Sequence, residues 1–128
     1  MFGLMMDEPL LISSVLRHAA RNHGSVEIAF RENDGSIGRY TYADAHVRAK
    51  RIGKALLRRG IRAGDRVATL AWNTHRHFEL YYGVPGIGAV IHTLNPRLFR
   101  DQLLYIVGHA ADRVLFFDPA FVDLVEDL

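Results

Sequence analysis

Apolar residues recur at helical spacing in two places in the first half of the chain. The first is residues 11–23, and Gly24 follows as a helix stop. The apolar positions of this amphipathic helix are Ile12, Val15, Leu16 and Ala19. Thr41 is expected to cap a second helix, with Asp44 three residues later, and Gly60 ends it. The apolar stripe of the second helix consists of Ala45, Ala49, Ile52 and Leu56.

The segment between these helices predicts a β-hairpin. Residues 26–31 and 37–41 have strand-forming composition. The Asp34-Gly35 pair lies between them and readily adopts the positive φ angles of a tight turn. Residues 1–63 therefore predict a helix, a hairpin and a second helix.

From Gly64 onward, short apolar runs alternate with segments of helical spacing. The runs that predict strands are residues 66–71, 90–94 and 113–117. Asn73 or Thr74 begins the helix after the first run. The helix after the second run has its apolar face at Leu103, Ile106, Val107 and Ala110. A βαβαβ order implies parallel strands with right-handed crossovers, so residues 64–128 predict a layered α/β sheet.

Composition and chain length fit one domain or part of a larger one. Hydrophobic residues make up 49% of the chain and charged residues 23%, which is ordinary for a globular protein. A domain of this size buries roughly two thirds of the surface that its unfolded chain exposes. The last predicted helix begins at Pro119 and has no stop signal before Leu128. We therefore expect residues 1–128 to be the truncated first part of a longer protein.

Several features predict a cytoplasmic protein. The chain has no cysteine, which fits a reducing compartment. It has no apolar run of about 18 residues, so no transmembrane segment is expected. Asp7 and Glu8 lie near the start, where a signal peptide would carry lysine or arginine. The formal net charge of +2 is too small to indicate a nucleic-acid partner.

Three segments carry a resemblance to a known family. They are YTYAD at residues 40–44, GDRV at 64–67 and GAVIHTLNPRL at 88–98. Together they resemble the N-terminal part of AMP-forming acyl-CoA synthetases of the adenylate-forming superfamily, and most closely the medium- and long-chain fatty-acid branch. The residues that carry this resemblance, which we interpret as structural, are Gly64, Asp65, Arg66, Trp72, Asn73, Gly88, Asn95, Pro96 and Arg97.

The resemblance implies part of the adenylate-forming fold and a parent ligase that uses ATP, Mg²⁺ and CoA. Such a ligase joins a fatty-acid carboxylate to AMP and then passes the acyl group to the CoA thiol. The phosphate loop, the acidic nucleotide motifs and the catalytic lysine of the family follow later in its order, beyond Leu128. We therefore assign no catalytic, cofactor-binding or metal residue to this chain, and we expect the chain alone to be inactive and to bind none of these cofactors.

Two other functions remain open on the sequence. A non-catalytic interaction or dimerisation module would keep the fold without the chemistry. In the fatty-acid branch an acidic segment like Asp7-Glu8 resembles part of a homodimer contact, where carboxylates pair with arginines of the partner. A basic stripe on the second helix would contact nucleic acid or an anionic membrane, with strongly salt-dependent binding, although a solvated face is the commoner outcome. The stripe consists of Arg51, Lys54, Arg58 and Arg62.

Histidines and aromatic residues in this sequence are better explained by packing than by catalysis. His75 and His77 diverge by about 200° around a helix, so we interpret them as surface or packing residues rather than a metal pair. His92 is predicted to be buried and hydrogen-bonded rather than catalytic. The aromatic residues predicted to lie in the core, with one tyrosine hydroxyl at its edge, are Phe78, Tyr81 and Tyr82.

The residues that follow the second predicted strand are the best candidates for a functional edge. Asn95 and Arg97 are expected at the carboxyl end of that strand, where ligands gather in open α/β sheets. Asp101 is expected to cap the next helix. The glycines that we assign to close packing, because they lack the GxxxxGK[ST] order of a phosphate loop, are Gly83, Gly86 and Gly88.

Overall fold

Helices and strands follow one another in the order that the sequence predicts. The computed structural model of the protein describes residues 6–128. The helices are α1 (Ile12–Asn22), α2 (Tyr42–Arg58), α3 (His75–Gly83), α4 (Arg100–Ala110) and α5 (Val122–Glu126). The strands are β1 (Glu27–Arg31), β2 (Ile37–Thr41), β3 (Arg66–Leu70), β4 (Val90–Thr93) and β5 (Val114–Phe117). Short 3₁₀ turns at Pro85–Ile87 and Pro119–Phe121 precede β4 and α5.

Strand β3 lies at the centre of a parallel sheet with the order β4–β3–β5. Val67 of β3 is aligned with Ile91 on one side and with Val114 on the other. The β3–β4 and β4–β5 connections run in opposite directions across the sheet, so right-handed crossovers place α3 and α4 on opposite faces. The predicted layered α/β sheet is confirmed. The antiparallel pairing of β1 with β2 confirms the predicted hairpin.

Successive residues of β3 face opposite sides of the sheet and divide the core between them. Val67 packs in a cluster on the α3 side, and Ala68 packs in a cluster on the α4 side. Leu56 and Ile61, which precede the sheet in sequence, belong to the cluster of Val67. The helix–hairpin–helix part of the chain and the sheet therefore share a core.

The start of α2 has the capping arrangement that the sequence predicts. The Thr41 hydroxyl accepts a hydrogen bond from the Asp44 amide at 3.2 Å, and the Asp44 carboxylate accepts one from the Thr41 amide at 3.0 Å. Beyond the other end of the helix, Gly60 adopts a φ of +83°. Both signals are local, because each joins residues within one turn of the chain.

Only part of the predicted apolar face of α1 is buried. Leu16 packs with Ala45 and Ala49 of α2. Ile12 and Val15, by contrast, are 56% and 60% exposed. Val15 lies about 100° from Leu16 around the helix, so a single neighbouring helix does not cover both.

Two predicted helix starts are wrong in detail. Asp101 does not cap α4; it lies exposed in the first turn, and the side chain of Gln102 accepts the Phe99 amide at 3.1 Å instead. The helix begins at Arg100, so Gln102 is the residue placed to reach back to the preceding amide. The last segment begins with a 3₁₀ turn at Pro119–Phe121, and the α-helix follows from Val122.

Helices α2 and α3 approach closely where glycine replaces a side chain. A Cβ added to Gly83 would lie 2.8 Å from the carbonyl oxygen of Ala49 and 3.0 Å from Ile52 Cγ2. A Cβ added to Gly86 would meet no atom within 4 Å. The close packing predicted for the glycines therefore applies to Gly83 and not to Gly86.

We predict that Gly83→Ala lowers the free energy of unfolding by about 1–3 kcal/mol, because the new methyl group must push two packed helices apart. Gly86→Ala is the matched control and should change the free energy of unfolding by less than about 0.5 kcal/mol. Urea unfolding followed by circular dichroism measures both. Equal stabilities of the two variants would contradict the close approach of α2 and α3.

Candidate functional site

The loops that follow the three parallel strands meet at one edge of the sheet. The segment after β3 is Ala71–Thr74, the segment after β4 begins at Leu94, and Asp118 follows β5. The carboxyl ends of parallel strands are where open α/β sheets bind their ligands. This edge is therefore the candidate functional site.

Asp118 connects two of these loops. Its side chain is 5% exposed and accepts the Trp72 amide at 2.7 Å, while its own amide donates to the Leu70 carbonyl at 3.0 Å. The Trp72 ring packs against Phe121 with ring centroids 5.0 Å apart. A buried carboxylate with a charge-assisted hydrogen bond is a strong anchor, so Asp118 fixes the end of β3 relative to the end of β5.

The loop after β4 is shaped by its own asparagine. The Asn95 side-chain oxygen accepts the Arg97 amide at 3.0 Å, which closes an Asx turn. Asn95 and Arg97 are both exposed, and Pro96 lies between them. The structure thus places Asn95 and Arg97 on the carboxyl edge. The Asn95 side-chain oxygen is already hydrogen-bonded within the turn.

Other residues that carry the family resemblance lie at the opposite, amino edge of the sheet. Gly64, with a φ of +85°, donates its amide to the Gly88 carbonyl at 2.9 Å. The Asp65 carbonyl accepts the amide of the first β4 residue at 2.8 Å. Arg66 donates through Nε to the carbonyl of Ala110, the last residue of α4. These contacts join strands and turns far from the carboxyl edge.

His75 and His77 lie in the first turn of α3 and point to different neighbours. His77 Nε2 is 3.0 Å from the Thr69 hydroxyl, on the sheet side of the helix. The His75 ring packs against Phe30 of the hairpin, with centroids 4.1 Å apart. Both residues are buried. The predicted divergence and packing are confirmed, and the surface location offered as an alternative is wrong.

Burial favours the neutral form of His77. Desolvation lowers the pKa of His77 below its ordinary value of 6.5, and a backbone contact with Trp72 and the charge of Asp118 act in the opposite direction. A neutral imidazole is suited to a hydrogen bond with the Thr69 hydroxyl. Across residues 6–128, no group of three or more His, Asp or Glu side chains is placed to hold a metal ion.

An ion pair with a buried carboxylate and a half-exposed arginine joins α2 to α3. Arg48 Nε lies 2.6 Å from Glu79 Oε1, and the Glu79 side chain is only 4% exposed. Burial and the charge of Glu79 raise the pKa of Tyr40 to about 12, so the phenol stays protonated. Sequence reasoning did not identify this pair, because the two residues are 31 positions apart and neither has a local motif.

His92 has a carboxylate partner that the sequence did not reveal. His92 Nδ1 is 2.9 Å from Asp112 Oδ2, and the side chains are 25% and 3% exposed respectively. The predicted hydrogen bond is confirmed, although His92 is half-buried rather than buried. The pair connects β4 to the turn before β5, which is a structural role.

The predicted aromatic cluster is partly in the core. Phe78 and Tyr82 pack against the cluster that joins α1 to α2. Tyr81 is exposed and lies beside His77, with ring centroids 4.9 Å apart. Tyr81 is therefore the aromatic residue of this helix that faces solvent.

The predicted charged surfaces are open to solvent. Asp7 and Glu8 are exposed near the start of the described chain. The four residues of the basic stripe, Arg51, Lys54, Arg58 and Arg62, are also exposed. Arg62 lies beyond the end of α2 at Arg58, so the stripe continues into the following loop. No helix within residues 6–128 has the length and apolar character needed to cross a membrane.

We predict that Asp118→Ala lowers the free energy of unfolding by about 1–3 kcal/mol, because the Trp72 amide loses its acceptor. Trp72 is the only tryptophan, so its fluorescence reports directly on this corner. The matched control, Glu126→Ala on the exposed face of α5, should change stability by less than about 0.5 kcal/mol. Unchanged stability and emission in Asp118→Ala would exclude Asp118 as the anchor of the edge.

The hairpin, helices and parallel sheet correspond to the N-terminal part of the fold of adenylate-forming acyl-CoA ligases. The AMP-binding enzyme family matches residues 16–127, and the chain belongs to this family. The resemblance inferred from the sequence motifs is thereby confirmed.

Named relatives agree with this assignment. The chain is 53% identical over 125 residues to a 3-methylmercaptopropionyl-CoA ligase of Ruegeria lacuscaerulensis, covering 98% of this chain. It is 48% identical over 122 residues to a long-chain-fatty-acid–CoA ligase of Thermus thermophilus, covering 95% of this chain. It spans 23% of the length of each relative. The N-terminal domain of FACL13 from Mycobacterium tuberculosis matches 91% of this chain, at 27% identity and a TM-score of 0.82, over 29% of its own length.

Proposed function

We propose that this chain forms the N-terminal part of an ATP-dependent ligase that converts a fatty acid or a related carboxylate to its CoA thioester. The observation that carries the proposal is the identity of 53% and 48%, over nearly the whole chain, to two CoA ligases with different named acyl groups. The shared function of those relatives is thioester formation, so the reaction class is better supported than any one acyl group.

The proposed reaction has two steps. The carboxylate attacks the α-phosphate of ATP, which forms an acyl adenylate and releases pyrophosphate. The CoA thiol then attacks the acyl carbon, which forms the thioester and releases AMP. Activation is needed because a free carboxylate is a poor electrophile, and Mg²⁺ accompanies the nucleotide to neutralise phosphate charge.

We expect the nucleotide and metal sites of such a ligase to lie outside residues 6–128. The described residues place no three His, Asp or Glu side chains together for a metal ion. Gly83 is packed against α2 rather than free to cradle a phosphate. We therefore assign no chemical step to this chain. Its proposed role is to hold the carboxyl edge, through Asp118 and the Asn95 turn, in the position that the rest of the ligase requires.

Purified residues 1–128 should form no acyl-CoA from ATP, CoA and fatty acids of several chain lengths, assayed by release of AMP and pyrophosphate. Ligase activity of this chain alone would overturn the scaffold role.

A chimera supplies the positive test. Residues 1–128 replace the matching segment of the Ruegeria lacuscaerulensis relative, and we expect ATP-dependent thioester formation to be retained. The same relative with that segment deleted is the negative control.

The alternative is a non-catalytic interaction module with the same fold. It predicts a chimera that folds but makes no thioester, and a stop codon directly after Leu128 in the gene. A downstream segment rich in serine, threonine and glycine supports the ligase instead. The cytoplasmic location inferred from the sequence stays a prediction.

We further propose that Asp7 and Glu8 take part in a homodimer contact of the complete protein. Both carboxylates are exposed and available for arginines of a partner. In the complete protein, the double variant Asp7→Ala/Glu8→Ala should lower the molecular mass measured by light scattering, because the dimer is weakened. Asp123→Ala/Glu126→Ala removes the same charge from α5 and should leave the mass unchanged. An unaltered mass in the first variant would argue against the contact.

A further inference from the structure

A groove of about 220 Å³ lies between α1, α2 and the segment that joins α3 to β4. None of its lining residues belongs to the loops of the carboxyl edge. Its floor consists of small and apolar residues, namely Leu16, Ala49, Gly53, Gly83, Gly86 and Ile87. We call it the α1–α2 groove.

The rim of the α1–α2 groove is cationic. Arg17, Lys50 and Lys54 line it and are exposed, and none of the three forms an ion pair with a residue in the described range 6–128. No aspartate or glutamate is among the described residues that line the groove. Three positive charges around an apolar floor, without a carboxylate to neutralise them, attract an anion.

The titration of His46, which also lines the groove, is consistent with this charge distribution. Burial lowers the pKa of His46, and the charges of Lys50 and Arg17 lower it further. A positive potential disfavours the protonated imidazole and favours a bound anion for the same electrostatic reason.

Three glycines line the groove, and they differ in how closely their neighbours approach. Gly53 and Gly83 let α2 and α3 pack closely, since a Cβ at either position would lie 3.0 Å or less from a neighbouring atom. Gly86 is different, because a Cβ added there would meet nothing within 4 Å. Gly86 thus lines the groove at a position where a Cβ displaces no neighbour.

We propose that the α1–α2 groove binds an anionic amphiphile, namely a free alkyl carboxylate. The carboxylate lies at Lys50, Lys54 and Arg17, and the first part of the alkyl chain covers the apolar floor. Burial of the chain contributes roughly 25 cal/mol for each Å² of apolar surface, which a purely inorganic anion does not gain. The groove is smaller than the roughly 300–1,000 Å³ typical of drug-sized pockets, which favours a short chain.

This site is separate from the adenylation proposed above, because the carboxylate is bound and not activated. The groove and its charges are present whether or not the parent protein is a ligase. A flat membrane surface is a poorer fit, since the floor is recessed between helices rather than presented on an outer helix face.

The first test is a titration of the 128-residue chain with octanoate, by calorimetry and by ¹⁵N NMR. We expect saturable binding, with shifts at α1, α2 and Gly86. Gly86→Leu places a large side chain at the lining of the groove, and we expect it to weaken octanoate binding by about tenfold or more, equivalent to 1.4 kcal/mol. Gly86→Ala is the milder matched variant and should weaken octanoate binding less than Gly86→Leu does. Circular dichroism checks that both variants remain folded.

The second test separates local charge from total charge. Lys50→Gln/Lys54→Gln should lower the affinity for octanoate by about tenfold. Added salt should lower the affinity of the wild type. Arg51→Gln/Arg62→Gln removes the same net charge from exposed positions that do not line the groove, and should leave the affinity within about twofold.

Inorganic phosphate, octylammonium and phosphatidylglycerol vesicles complete the test. Much weaker binding of phosphate and octylammonium than of octanoate supports the site. The proposal is overturned if octanoate does not bind, if Gly86→Leu binds it as tightly as the wild type, or if the two charge variants behave alike. Phosphate affinity equal to that of octanoate, or vesicle binding that depends on Lys50 and Lys54 but not on Gly86, would also overturn it.

Discussion

The pairing of β3 on both of its edges is the constraint on which the rest of the structure depends. β3 hydrogen-bonds to β4 and β5, and its residues Val67, Ala68, Thr69 and Leu70 are fully buried. A strand buried on both faces requires a helical layer on each side, so α3 and α4 have to lie on opposite faces. The same strand delivers the Trp72 loop to the carboxyl edge. The positions of the candidate site and of the core therefore both depend on β3.

Buried polar groups then fix how these layers are positioned. Thr69 faces α3 and meets His77, the Glu79 carboxylate meets Arg48 of α2, and the Asp118 carboxylate meets the Trp72 amide. An unpaired polar group is costly in a dry interior, so each contact restricts the elements that it joins to one arrangement. Apolar packing alone tolerates small shifts between helix and sheet, and these directional contacts remove that freedom.

Local signals explain what could be predicted from the sequence. The Thr41–Asp44 capping box, the Asp34-Gly35 turn and the alternation after Gly64 each depend on residues within a few positions of one another. The contacts that the sequence did not reveal, Arg48–Glu79 and His92–Asp112, join residues 31 and 20 positions apart. Exposure of Ile12 and Val15 is likewise decided by which helix lies beside α1, and periodicity within one helix carries no information about that. The carboxyl edge could be located from the strand order, but its anchor, Asp118, became visible only with the fold.

Three of the residues that carry the family resemblance have a type that fits their backbone geometry. Gly64 and Gly88 have φ values of +85° and +77°, which side chains rarely tolerate, and Asn95 closes a turn with its own side chain. Such positions permit few substitutions whatever the substrate of the enzyme. This accounts for a chain that is closely similar to ligases for different acyl groups although we assign it no catalytic residue. The α1–α2 groove combines both kinds of position. Lys50, Lys54 and Gly86 are exposed, whereas Ala49 and Gly83 are buried where α2 and α3 approach closely. A binding function there would therefore take its shape from the packing of the fold and its charge from exposed side chains.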